Sequence, residues 1–205
     1  MTRRMLGLAV LVLAGGMVMG AQAPRADAPA KPVTDAEFVM QASATDLAEI
    51  NLGRIAARQA TSADVKQFAQ RMEKEHSKAS DEMLALVNKK GGGLRAASEM
   101  DRKHRALSDR LLQLRGADFD REYMKHMVEG HGQAVALFEA EAASGKNADV
   151  KAFAAKHLPT IREHHKMAQD IANKLKGGKP GPGPGPGPGP GPGRSTPPPS
   201  PKGGK

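Results

Sequence analysis

Four residues of this sequence carry metal-ligand chemistry at positions where a helical core residue is expected: Glu49, His76, His131 and His164. His131 fills the gap in an apolar stripe that runs Met124, Met127 or Val128, then Val135, Phe138 and Ala142. His76 lies in the run Val65, Phe68, Met72, His76, Ala79, Met83, Leu86. Glu49 lies in Phe38, Ala42, Thr45, Glu49, Leu52, Ala56, and His164 in Val150, Phe153 or Ala154, His157, Ile161, His164, Ala168, Ile171, Leu175. Spacings of three and four put each set on one helix face. Three imidazoles and a carboxylate suit a divalent transition metal, namely zinc, iron or copper. Met72 and Met127 stand four residues before His76 and His131, and Met167 three after His164. Thioether beside imidazole favours copper, although Met also fills bundle cores. The rival reading is a buried hydrogen-bonded network that holds the helices in register. His126 and His165 fall off the stripes and read as surface histidines. Gly130 and Gly132 flank His131. Each costs a helix about 1 kcal/mol relative to Ala, so close approach to the backbone is expected there.

The elements that position these residues follow from their caps. Thr34-Asp-Ala-Glu37 is a capping box that opens a helix reaching about Gln59. Ala60-Thr61 makes a tight turn, and Ser62 caps a second helix that ends at Gly91-Gly-Gly93. Leu94 to Gln113 reads as a weakly amphipathic crossover helix carrying Leu107 and Leu111, long enough to run the length of a bundle. Gly116 should stop it, and Asp118 should cap the next helix, Phe119 to Ser144. Asn147 caps the last helix, in which Pro159 should produce a kink because it removes a backbone donor.

SADVKQFAQRM from Ser62 and NADVKAFAAKH from Asn147 match in cap, Asp, Val, Lys, Phe and Ala. Two related hairpins joined by a long connection give an all-α, ferritin-like four-helix bundle with an additional crossover helix. The crossover makes the second helix and the Phe119 to Ser144 helix parallel, so the two tight turns fall at opposite ends. Counted from the end of the first turn, Glu49 lies about 11 residues down, His76 about 15, His131 about 12 and His164 about 10. At about 1.5 Å per residue all four fall within roughly 8 Å of axial height. His157 falls one or two turns away.

The chain ends belong to other classes. Residues 1–23 read as a secretory signal peptide: a basic start at Arg3-Arg4, an apolar run from Met5 to Gly20, and the small-x-small stretch Ala21-Gln-Ala23. Residues 24–33 form an Ala/Pro linker, 34–177 the bundle, and 178–205 a disordered Pro/Gly-rich basic tail with seven Pro-Gly units. The formal charge of +9 comes mostly from these ends, because Thr34 to Lys176 holds 23 Lys and Arg against 21 Asp and Glu. Six aromatic residues and this balance exclude a nucleic-acid surface. The tail suits weak contact with an anionic envelope surface. With no Cys, stability must come from packing alone.

The stretches FVMQASATDLAEINLGRIA, FAQRMEKEH, FDREYMKHMVEGH, LFE and LPTIREHH resemble a bacterial secreted family called domain of unknown function 4142. The resemblance covers about Thr34 to Lys176. It implies a ferritin-like bundle in the envelope with no established activity, and its recurring positions match Glu49, Gly53, His76, Phe119, His131, Pro159 and His164. Di-iron bundles need two Glu-x-x-His motifs; only Glu73-x-x-His76 is present, and Ile161 stands where the second Glu would be. No glycine-rich phosphate loop, nucleophile elbow or Cys nucleophile occurs. The sequence therefore predicts an exported, periplasmic or secreted, non-enzymatic bundle with a transition metal at Glu49, His76, His131 and His164. The alternatives are a structural or interaction module of the envelope with a metal-free polar network, and, third, a metalloenzyme.

Overall fold

The computed structural model describes residues 33–90 and 93–177. The expected signal peptide, all of the linker but Val33, and the tail lie outside them. Five helices occur among the described residues: α1 (Asp35–Gln59), α2 (Ala63–Lys90), α3 (Arg102–Gln113), α4 (Gly116–Ser144) and α5 (Ala148–Gly177). None is long and apolar enough to cross a membrane. Thr34 closes the expected capping box with Glu37 at the head of α1. The four long helices pair as two hairpins, α1 on α2 and α4 on α5. Gly53 lets the first pair close up: a Cβ there would lie 2.8 Å from the Ala69 carbonyl oxygen and 3.1 Å from the Glu73 nitrogen.

Two aspartates tie the hairpins together reciprocally. Asp35, at the head of α1, accepts the Lys146 and Asn147 N–H groups of the α4–α5 turn at 2.8 and 3.1 Å. Asp120, in the second turn of α4, accepts the Thr61 and Ser62 N–H groups of the α1–α2 turn at 3.0 and 2.8 Å, and the Thr61 hydroxyl at 2.6 Å. The repeated caps Ser62 and Asn147 stand 85 residues apart, and so do Asp35 and Asp120. The repeat seen at the helix starts thus extends to the acids that fasten the opposite hairpin. These ties also place the two turns at opposite ends of the bundle.

The connection differs from its expected form. Residues 94–101 are not helical, and α3 begins only where Asp101 accepts the His104 N–H at 2.9 Å. That side-chain cap offers a better start than the Gly-rich stretch before it. The Ser43 hydroxyl accepts the Ala97 N–H at 2.7 Å, which pins the irregular stretch along α1. Irregular backbone covers more distance per residue than helix, so a 12-residue α3 suffices. Asp118 does not cap α4. Arg115 is the residue before the helix and makes no side-chain cap, Gly116 enters it with φ +59°, and Asp118 pairs with Arg121. Helix α5 runs on through Pro159.

Apolar side chains fill two separate clusters. One joins Leu52, Phe68, Met72, Phe119, Tyr123, Met124, Met127 and Ile171. The other joins Phe38, Val39, Met83, Phe138, Val150, Phe153 and Ile161. Between them, in sequence position on every long helix, come the buried polar residues Asp46, Glu49, His76, His131 and His164.

Besides Asp120, a second buried acid lies outside that layer. Glu141 is 3 % exposed, and its Oε1 has no hydrogen-bond partner. Burial, reinforced by hydrogen bonding and charge from Asp35, pushes its pKa from 4.5 to about 7. A carboxyl raised on folding contributes most stability below its unfolded pKa and loses it as pH rises through the folded one. Glu141→Gln keeps the shape and removes the ionisation. It should melt higher than the parent at pH 8, by about 1–2 kcal/mol of stability, and not at pH 5. Thermal melts at both pH values check this; a variant less stable than the parent at pH 8 contradicts it.

Candidate metal centre

Helices α2, α4 and α5 each project one histidine into the polar layer. The ring centroids of His76, His131 and His164 form a near-equilateral triangle with sides of 5.8, 5.6 and 5.5 Å. One ligand nitrogen from each ring lies within 4.8 Å of the other two. His76 is 8 % exposed, His131 2 % and His164 1 %.

Each ring is fastened from behind by its other nitrogen. His76 Nδ1 lies 2.8 Å from Asp46 Oδ1, His131 Nδ1 donates to the Met127 carbonyl at 2.9 Å, and His164 Nε2 lies 2.6 Å from Glu75 Oε2. The acceptors are carboxylates and a carbonyl, so the fastened nitrogen carries the proton. The opposite nitrogens, His76 Nε2, His131 Nε2 and His164 Nδ1, are buried and have no hydrogen-bond partner. A neutral ring held this way turns a lone pair on its unpartnered side. Glu75 is held in turn by Arg71 Nε at 2.9 Å, and Arg71 also reaches Glu163 at 3.0 Å.

Burial sets the protonation. It drives His131 well below its ordinary pKa, with the charges of His76 and His164 adding to the effect. It lowers His164 to about 4, again with His76 adding. Burial opposes charge on His76 too, but there the hydrogen bond and charge of Asp46, helped by Glu49 and Glu75, win and raise its pKa. Burial raises Glu49 to about 7, with His76 opposing and Asp46 adding. Glu49 is 2 % exposed and its Oε2 has no partner. It lines a cavity of about 140 Å³ with Asp46, His76, His104, Gly130 and His131, but it stands outside the tight histidine trio.

The family model for a domain of unknown function, DUF4142, matches residues 20–171. The chain belongs to the DUF4142 family. No curated protein matches this DUF4142 chain. Among solved structures, a DUF305 protein from Streptomyces coelicolor, described as secreted, is 14 % identical with a TM-score of 0.60. The match covers 74 % of this DUF4142 chain and 98 % of that one. At that identity the likeness concerns the fold alone.

Of the four residues read from the sequence, three converge and Glu49 borders their cavity. Met167 Sδ lies 3.1 Å from Arg71 Nη1, and Met72 and Met127 are core residues of one apolar cluster. His157 is turned to Glu82 at 2.8 Å and rests on Phe153, with ring centroids 4.3 Å apart. His126 is not a surface residue. It is half-buried, because α3 lies over that side of α4, and its Nε2 has no partner. His165 leans over α4 at Gly132, where a Cβ would lie 3.4 Å from its Nε2. At Gly130 nothing is closer than 3.9 Å, so that glycine leaves space rather than admitting a neighbour.

Sequence reasoning missed Asp46 and Glu75, the carboxylates behind two of the rings. Asp46 stands four residues after Ala42 and three before Glu49, so its spacing did mark the buried face. Thr45, assigned to the stripe, is only half-buried, whereas Asp46 is buried. Glu75 is adjacent to His76 and gave no periodic signal. Tyr123 was also missed: it is fully buried with an unpartnered hydroxyl, and burial, with the charge of Glu49 added, raises its pKa.

Proposed function

We propose that this protein is an exported, non-enzymatic bundle that holds one divalent transition ion on His76, His131 and His164. Glu49 neutralises charge beside the ion, as a ligand or through a bound water. One observation carries the reading: three buried rings, each fastened from outside the site, keep their remaining nitrogens unpaired beside one another. A metal-free polar network would pair those nitrogens, since an unsatisfied buried polar atom costs about 1–3 kcal/mol. Two or three such atoms are tolerable if a cation takes them up. Imidazole donors with one carboxylate suit zinc, copper or iron. Export rests on the apolar N-terminal run of the sequence. The test is metal analysis of protein purified without a polyhistidine tag, followed by melts with added zinc or copper. Protein that gains no stability from any of these ions contradicts the proposal and favours a structural role in the envelope.

A further inference from the structure

Two more imidazoles meet outside the trio. His104 of α3 and His126 of α4 place their ring centroids 5.5 Å apart with their planes at 81°. That separation equals the shortest side of the inner triangle. Rings that share one ion at nitrogen distances of about 2.0–2.1 Å sit at about this spacing. The His104 ring is fixed as the inner rings are: its Nδ1 lies 2.8 Å from Asp101 Oδ2, while Asp101 Oδ1 takes the backbone N–H of the same residue. A proton on Nδ1 leaves Nε2 for another partner. His126 Nε2 is buried and has none. Burial keeps this ring neutral by lowering its pKa to about 4, with the charges of His104 and Lys103 adding and that of Asp101 opposing.

The pair opens toward the inner site. A Cβ on Gly130 would lie 3.9 Å from His126 Nε2 and 4.0 Å from Glu49 Oε1, so both polar atoms face one bare spot of α4. His104 lines the same cavity as Glu49, His76 and His131. Its side chain is 14 % exposed, against 2 % for His164.

We propose that His104 and His126 form a second cation site, which takes a divalent transition ion such as Zn2+ through His104 Nε2 and His126 Nε2, beside the cavity that His104 lines with Glu49, His76 and His131. Two protein ligands, with water completing the shell, make it weaker than the inner site. Asp101 supplies negative charge behind His104, and Lys103 is the opposing charge nearby.

The experiment is a Zn2+ titration of the full, untagged protein by calorimetry, with bound zinc counted after equilibrium dialysis. The parent should bind two ions with different affinities. The double variant His104→Gln/His126→Gln should lose the weaker one and keep the tighter. His104→Gln alone should already do so. It keeps the Asp101 cap, which runs from the backbone, and so guards against a folding failure of the double variant. A His76→Ala/His131→Ala/His164→Ala variant should lose the tighter ion and keep the weaker. His104→Gln with unchanged stoichiometry and affinities overturns the outer site, whether the parent binds one ion or two, and makes the pair a packing contact between α3 and α4; a parent that binds no ion overturns both sites. A triple variant that still binds the tighter ion overturns the inner site instead, and leaves the outer one standing.

Discussion

Replacing His131 by Ala should lower the affinity for zinc or copper by at least about a hundredfold, and His76→Ala and His164→Ala should do the same. Loss of an outer partner typically costs about 10–100-fold, and loss of a ligand should cost no less. Asp46→Ala belongs in the first range, because it frees the His76 ring without removing a ligand. His157→Ala should leave affinity unchanged, since that ring faces Glu82. The bound ion should also stabilise the fold, by about 4 kcal/mol at a thousandfold excess over Kd. The sign of the pH dependence follows from the site. His131 and His164 are neutral at pH 7, but His76 is held above its ordinary value of 6.5 and Glu49 at about 7. A metal must displace the protons that these two groups carry, so affinity falls as pH falls. The drop should be about tenfold or more per pH unit below 7. Titrations of the parent and these five variants between pH 6 and 8 check both points. A pH-independent affinity, or variants that lose stability by roughly 1–3 kcal/mol while metal leaves every melt unchanged, would support the network in place of the ion.

The fold was readable where one helix face decides it. Thr34, Ser62 and Asn147 marked helix starts, and stripes of three-four spacing marked the inward faces. The histidine cluster was readable because polar residues interrupt those stripes at matching heights, given turns at opposite ends. What lay hidden depends on a second face or on a neighbour. His126 is off the α4 stripe, and only the packing of α3 buries it; periodicity on α4 cannot show what a fifth helix covers. Glu75 reaches His164 across helices from a position beside the stripe. The start of α3 was misplaced because Leu94 to Gln113 has helical composition, while Asp101 and the Ser43–Ala97 bond choose the boundary. The clustered histidines do not follow the 85-residue repeat: Ile161 stands at the repeat equivalent of His76, and Asp46 at that of His131. The two hairpins share their framework and differ in their chemistry.

The aspartate ties give the second large effect, on stability rather than on binding. Asp120→Ala should lower the stability of the fold by about 2–4 kcal/mol, because hydrogen bonds to a charged group contribute about 1.5–3 kcal/mol and leave costly orphans when one side is removed. Asp120 is 2 % exposed and takes three bonds from Thr61 and Ser62. For a domain of this size each kcal/mol moves the melting temperature by about 2–4 °C, so a fall of several degrees is expected. Asp118, two residues earlier, provides the control. It is exposed and pairs only with Arg121 among the described contacts, and surface pairs contribute about 0–1 kcal/mol. Asp35→Ala should cost less than Asp120→Ala, since its bonds to Lys146 and Asn147 lie nearer the surface. The two ties sit at opposite ends of the bundle, so their effects should add. Denaturant melts of Asp35→Ala, Asp118→Ala, Asp120→Ala and the Asp35→Ala/Asp120→Ala pair measure all of this. Equal stability of the Asp118→Ala and Asp120→Ala variants would mean that the hairpins are held by their apolar clusters and not by these reciprocal caps.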